Sequence, residues 1–94
     1  MTNYKTIILK NICYTALVYG RINKKLNIEL SNEQIEVMIL AIISKTAESE
    51  FQKTGKNIYI TNQDCNVRLT VNSYTNTIIT ADKLDKKEPV KTLK

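Results

Sequence analysis

Histidine is absent from this 94-residue chain, which also lacks tryptophan and has only two glycines, one proline and two cysteines. Without histidine, the chain has neither the usual general base near neutral pH nor the commonest metal ligand. Two cysteines alone cannot complete the four-ligand shell of a structural zinc site. Gly20 and Gly55 are isolated, so there is no glycine-rich phosphate loop. We therefore expect no catalytic residue, no metal site and no cofactor.

Long apolar runs are missing as well. The apolar stretch near the N-terminus is interrupted by Lys10 and Asn11, so it fits neither a signal peptide nor a membrane span. Cys13 falls in an apolar helical pattern and Cys65 in a polar turn, which predicts two free thiols in a reducing compartment. These features predict a cytoplasmic protein without membrane contact.

The charge of the chain is positive and uneven. The net charge is +5, with basic residues concentrated in residues 1–30 and 81–94, whereas residues 31–54 are acidic overall. Such a chain attracts nucleic acid or an acidic protein surface. A nucleic-acid reader usually concentrates its charge more than this, so direct nucleic-acid binding stays open as one alternative.

Two helices are predicted in the N-terminal half. Residues 4–26 have a helical apolar period, and Gly20 within them marks either a close helix–helix approach or a break. Residues 31–54 predict a second helix, in which Ser31 and Gln34 have the spacing of a capping box and Gly55 is the stop. This helix is apolar over so much of its circumference that we expect it to be packed on two sides. One side would meet the first helix and the other the sheet or a second copy of the chain, which allows a homodimer.

The C-terminal half changes to the two-residue period of strands. Strands are predicted at 57–61, 67–72 and 77–81, with polar turns at 62–66 and 72–76. Short turns between consecutive strands imply an antiparallel meander, which needs helices on one face. We expect an α+β fold in which two N-terminal helices pack on a three-stranded antiparallel β-meander. Residues 1–84 would form this single domain, followed by a charged tail, 85–94.

The predicted strands carry the best candidate functional surface. Alternation places Arg68, Thr70 and Asn72 on the face opposite the apolar residues, so they line the open face if helices cover the other. Arginine and tyrosine are frequent binding anchors, and turn chemistry does not explain Tyr74 at the tip of a turn. An ordinary solvated, threonine-rich face is the alternative interpretation. The predicted partner-binding residues are Lys56, Tyr59, Arg68, Thr70, Asn72, Ser73, Tyr74 and Thr75.

Three segments carry a resemblance to a known family. Residues 53–60 (KTGKNIYI), 68–83 (RLTVNSYTNTIITADK) and 14–26 (YTALVYGRINKKL) resemble a small bacterial domain-of-unknown-function family found in low-GC Gram-positive genomes and mobile elements. The resemblance covers roughly residues 11–84, and family members often carry histidine where this chain has Asp82. It implies a compact helix-then-strand domain and a mobile-element setting, without an established activity.

Two function classes remain. The helix-then-sheet order, with basic and hydroxyl side chains on the strands, is similar to metal-independent ribonuclease toxins of the barnase and colicin type, which stabilise charge with cations. Small basic proteins of this length also resemble phage and mobile-element inhibitors of host defence, of the anti-CRISPR type, which need no active site. We expect a non-catalytic binding module that docks on a protein or nucleoprotein partner, with the ribonuclease-like toxin as the alternative.

Overall fold

The computed structural model describes residues 4–84, so the predicted tail 85–94 lies outside the described residues. Three α-helices precede four β-strands, with one 3-10 turn, Glu48–Glu50, between them. The helices are α1 (Tyr4–Asn11), α2 (Val18–Leu26) and α3 (Asn32–Lys45). The strands are β1 (Phe51–Thr54), β2 (Asn57–Asn62), β3 (Val67–Asn72) and β4 (Thr77–Lys83). They form one antiparallel sheet in the order β1-β2-β3-β4. The α+β class is confirmed, but the prediction of two helices and three strands is wrong.

The predicted first helix is broken between Asn11 and Val18, and the reason is a long-range backbone pairing. The N–H of Cys13 donates to the carbonyl of Asn76 at 2.9 Å, and the N–H of Ile78 donates to the carbonyl of Cys13 at 3.0 Å. Cys13 thereby bridges the outer edge of β4, whose backbone groups need partners. A continuous helix would engage the same Cys13 groups internally. Cys13 is consequently exposed, and not enclosed in an apolar helix face as predicted.

The break also changes which residues face the core. In α2 the buried positions are Val18, Ile22 and Leu26, spaced by one helical turn, whereas Thr15, inside the predicted helix 4–26, lies in the break and is exposed. Gly20 lies inside α2, and a Cβ added there would meet no atom within 4 Å. Gly20 therefore marks neither a close approach nor the break.

The predicted second helix begins as expected and ends early. The Ser31 hydroxyl accepts from the N–H of Gln34 at 3.2 Å, and the Gln34 side chain accepts from the N–H of Ser31 at 2.9 Å, which confirms the capping box. The helix ends at Lys45, where the buried Thr46 hydroxyl donates to the carbonyl of Ile42 at 2.6 Å.

Residues 51–54 form a strand because they pair with β2 through a two-residue turn. Phe51 lies opposite Ile60 and is buried, so its apolar side chain joins the sheet core. Gly55 has a φ of +61°, which favours glycine at the first position of such a hairpin turn. Gly55 is thus a hairpin residue and not a helix stop.

The helices cover the apolar face of the sheet. Along the sheet α2 packs on β4, α3 contacts β2, and α1 packs on α3. α3 therefore meets the first-helix segment on one side and the sheet on the other, as expected, with Ile39 fully buried. Its outer side stays open, since Val37 is 68% exposed and Leu40 is also exposed. Within residues 4–84, no helix has the length and apolar character needed to cross a bilayer.

Candidate partner-binding surface

The polar residues of the sheet face are aligned in three cross-strand rows. The pairing register places polar residues opposite one another on β2, β3 and β4, on the face opposite the apolar core. Neighbouring rows are two residues apart on β2 and β3, or about 7 Å along the strands, while β4 has one extra residue between Thr77 and Thr80. From one end of the sheet to the other, the rows are Asn57–Asn72–Thr77, Tyr59–Thr70–Thr80 and Thr61–Arg68–Asp82.

Two hairpin turns meet at one end of this face. The β1–β2 turn carries Lys56, and the β3–β4 turn comprises residues 73–76. The N–H of Ser73 donates to the carbonyl of Lys56 at 2.8 Å, which joins the two turns directly. We call Lys56 together with residues 72–76 the turn end. This link is not predictable without the hairpin formed by β1, a strand that the sequence pattern did not predict.

The Tyr74 side chain projects from the turn end, and hydrogen bonds hold the backbone of its turn. This side chain is 75% exposed. The Asn72 side-chain oxygen accepts from the N–H of Tyr74 at 2.8 Å and from the N–H of Thr75 at 3.3 Å. The N–H of Asn76 donates to the carbonyl of Asn72 at 2.7 Å, and Asn76 adopts a left-handed φ of +58°, which asparagine tolerates. The turn therefore has a defined shape that presents the tyrosine.

Several predicted contact residues instead have structural surroundings. Thr70 is only 7% exposed, between Tyr59 and Thr80 of the middle row. Asn72 is partly buried and uses its side chain to hold the turn. The Ser73 hydroxyl is buried and has no hydrogen-bond partner within the described part of the chain. The accessible members of the predicted set are therefore Lys56, Arg68, Tyr74 and Thr75, with Tyr59 half-buried.

Arg68 lies at the other end of the polar face. It is four positions from Asn72 on β3, a distance of about 13 Å along the strand. Its cross-strand neighbour is Asp82, which also forms an ion pair with Lys25 of α2 at 3.1 Å. The predicted set therefore falls into two groups. One is the turn end, and the other is a separate charged end formed by Arg68 beside Asp82.

Cations of α2 extend the charged end, which sequence reasoning missed. Arg21 donates to the carbonyl of Ile79 at 3.1 Å, and Lys25 reaches Asp82, so both side chains lie against β4. In the sequence the basic residues of 1–30 and the polar strand residues belong to separate elements. They adjoin because α2 packs along β4.

A second polar cluster, also missed, joins the α1–α2 connection to α3. The Tyr14 and Tyr19 rings stack with centroids 5.7 Å apart, and the Tyr19 hydroxyl donates to a Glu36 carboxylate oxygen at 2.6 Å. Burial raises the pKa of the Tyr14 phenol, with further contributions from the charge of Glu36 and from Tyr19. The hydrogen bond to Glu36 raises the pKa of Tyr19. Both phenols hold their protons more tightly than usual, which suits a structural clamp.

The described residues offer no metal-ligating constellation. Among residues 4–84, no three histidine, cysteine or carboxylate side chains are grouped closely enough to hold an ion. Cys13 and Cys65 are both free and exposed.

Fold and surface together define a small α+β domain, with three helices on a four-stranded meander that presents a polar face and a braced tyrosine turn. The model of the family described as "Protein of unknown function (DUF3781)" matches residues 6–82. The chain belongs to this family, which confirms the resemblance to a domain-of-unknown-function family. No curated protein and no solved structure gives a significant match.

Proposed function

We propose that this protein is a non-catalytic binding module that docks on a protein or nucleoprotein partner through the turn end and the polar strand face. The observation that carries the proposal is Tyr74, 75% exposed on a turn held by Asn72 and joined to the β1–β2 turn. An exposed aromatic ring is costly to leave in water and is a frequent interface anchor. Because the turn is already ordered, binding would cost less conformational entropy.

The charged end supports a partner with an acidic or phosphate-bearing surface. Arg68 is exposed, and the side chains of Arg21 and Lys25 of α2 contact Ile79 and Asp82 of the neighbouring strand β4. Charges at the rim of an interface mainly speed association and select partners, while a central aromatic residue contributes more of the affinity. Tyr74 is thus proposed as the anchor and Arg68 as the steering residue.

The most specific form of the proposal is an inhibitor of a host nuclease or another defence factor, carried by a phage or mobile element. Such an inhibitor acts by covering its target, so a docking surface is sufficient. The arrangement of exposed anchor and rim charge supports this form.

The ribonuclease-like alternative receives less support from the geometry. A metal-independent ribonuclease needs cations that converge on one phosphate. Lys56 belongs to the turn end, whereas Arg68 lies about 13 Å along β3 from that end. Incubation of the purified protein with RNA in a chelating buffer tests the alternative. Cleavage that disappears in both Lys56→Ala and Arg68→Ala would favour it over docking.

Capture from the native host tests the docking proposal. Tagged wild-type protein, Tyr74→Ala, Arg68→Ala and Leu17→Ala are compared after nuclease treatment, with retained proteins quantified by mass spectrometry. Leu17 is the matched control, since it is an exposed apolar side chain at the start of α2. We expect one protein to be lost with Tyr74→Ala and reduced with Arg68→Ala, but retained with Leu17→Ala. Equal retention by all four proteins would contradict the proposal, and loss after nuclease treatment alone would indicate direct nucleic-acid binding.

Self-association through α3 is a second interaction that one observation favours. Val37 and Leu40 expose apolar surface on the outer side of this helix. A homodimer through this side would bury both residues, and Val37→Glu would then convert it to monomer in light scattering. A monomeric mass for the wild-type protein at high concentration would exclude this interaction.

A further inference from the structure

An apolar cavity opens at the end of the sheet opposite the turn end. Its volume is about 350 Å³, within the range of roughly 300–1,000 Å³ that is typical of ligand pockets. It lies between the helix layer and the β2–β3 connection. Its apolar lining is contributed by Leu26, Ile28, Met38, Ala41, Ile42 and Val67.

The lining residues differ in burial, from buried at the floor of the cavity to exposed at its mouth, where it opens to solvent. Leu26, Ile42 and Val67 belong to the buried core, so they form the floor. Met38 and Ala41 of α3 are only half-buried, so they keep apolar surface free on the cavity wall. Methionine adapts its shape readily to an apolar guest.

Two lysines stand at the mouth. Lys45 is in the last turn of α3, and Lys83 ends β4, so the two ammonium groups come from different elements. Lys83 pairs with Val67 across the strands, which places its side chain on the face of the sheet that the helices cover. None of the described lining residues is acidic, and no carboxylate within residues 4–84 forms an ion pair with either lysine.

We propose that this cavity binds a medium-chain alkyl carboxylate, with the chain on the apolar floor and the carboxylate between Lys45 and Lys83. The apolar lining excludes a strongly polar ligand body, and the two lysines, which form no ion pair within residues 4–84, favour an anionic head group. This site is independent of the turn end, which lies at the opposite end of the strands.

The two cysteines provide an internal comparison for the test. Cys65 lines the mouth of the cavity, whereas Cys13 is exposed beside Thr77 at the turn end. The full-length protein is alkylated with iodoacetamide in the presence of octanoate, decanoate or uncharged octanol, and each thiol is followed by mass spectrometry. With decanoate at ten times its dissociation constant, we expect alkylation of Cys65 to slow about tenfold by mass action. Cys13 should be unaffected.

Ligand series and variants complete the test. Each methylene should strengthen binding about fourfold, so decanoate should bind roughly fifteenfold more tightly than octanoate. Ala41→Leu fills the cavity and should abolish protection, while Lys83→Ala, at an exposed position, should weaken octanoate binding about threefold without affecting octanol. Lys53→Ala is the matched control, since Lys53 is an exposed strand lysine outside the cavity. Equal protection of both cysteines, equal affinity for octanol and octanoate, or full octanoate affinity in Lys83→Ala would overturn the proposal.

Discussion

The backbone N–H of Ser73 donates to the carbonyl of Lys56 at 2.8 Å, so the first and last hairpin turns of the sheet are tied together. The same end of the sheet receives Cys13, whose carbonyl accepts from Ile78 at 3.0 Å. Two other segments of the chain, at Lys56 and Cys13, therefore hold the backbone of the turn that carries Tyr74.

Asn72 holds the turn through its side-chain oxygen. Asn72→Ala removes the acceptor for the N–H groups of Tyr74 and Thr75, so we expect the free energy of unfolding to fall by about 1–2 kcal/mol. Asn72→Asp keeps an acceptor oxygen and should lose less than about 0.5 kcal/mol. Urea denaturation of both variants measures the difference. Equal losses would show that the side-chain hydrogen bonds do not stabilise the turn.

The two glycines should respond in opposite directions to alanine. Gly55 has a φ of +61°, so Gly55→Ala should destabilise the protein by about 1–2 kcal/mol. Gly20 is helical with open space around its Cα, so Gly20→Ala should stabilise it by about 0.5–1 kcal/mol. Thermal melting of the pair tests the hairpin assignment. A neutral Gly55→Ala would contradict the β1–β2 turn.

The two sides of α3 should differ sharply in sensitivity. Ile39→Ala creates a cavity at a fully buried position and should cost about 2–5 kcal/mol. Val37→Ala removes a side chain that is 68% exposed and should change stability by less than about 0.5 kcal/mol. Chemical denaturation at low protein concentration measures both. A large loss for Val37→Ala there would mean that the outer side of α3 is also covered.

The tyrosine cluster predicts a dependence of stability on alkaline pH. The folded-state pKa values of Tyr14 and Tyr19 lie above the usual tyrosine value of about 10, so both phenols are protonated in the folded and in the unfolded chain below that pH. Above it, the unfolded chain releases phenolic protons first, and stability should fall as pH rises. In Tyr14→Phe this fall should be shallower.

At neutral pH, Tyr14→Phe should be neutral or stabilising, because the buried Tyr14 hydroxyl has no partner among the described residues. Tyr19→Phe should destabilise, because it leaves Glu36 without its donor. Urea midpoints at neutral and alkaline pH test both variants. The reverse order of stability would show that Tyr14 has a hydrogen bond in solution.

Local signals predicted the elements that depend on local chemistry. The capping box of Ser31 and Gln34 is present, and the three strands after Gly55 lie close to their predicted bounds. The break near Cys13 could not be predicted in the same way, because its cause is a pairing with Thr77, more than sixty positions along the chain. Phe51 fits the end of a helical stripe as well as the start of a strand. Gly55, four residues after Phe51, is the local feature that indicates a hairpin, because it occupies a two-residue turn between β1 and β2.

The partner-binding surface was also predicted only in part, because some of its features depend on local patterns and others on long-range packing. The strand period correctly placed Arg68 outward, and turn chemistry left Tyr74 without a structural role, in agreement with its exposure. Thr70 has the same alternation as Arg68 but is buried, since burial on a sheet face depends on the size of its cross-strand neighbours. The contribution of Lys25 depends on how α2 packs along β4, which no local pattern encodes.

The docking proposal is tested most directly by the dissociation constant of the captured partner for wild-type protein and Tyr74→Ala, with thermal melting of both. Leu17→Ala is a control, because Leu17 is exposed on the helical side. The account predicts that Tyr74→Ala raises the dissociation constant about thirtyfold, as for an interface anchor of about 2 kcal/mol, while the melting temperature stays unchanged. Leu17→Ala should bind as the wild type does. An unchanged dissociation constant for Tyr74→Ala, or a loss that follows unfolding, would contradict the account.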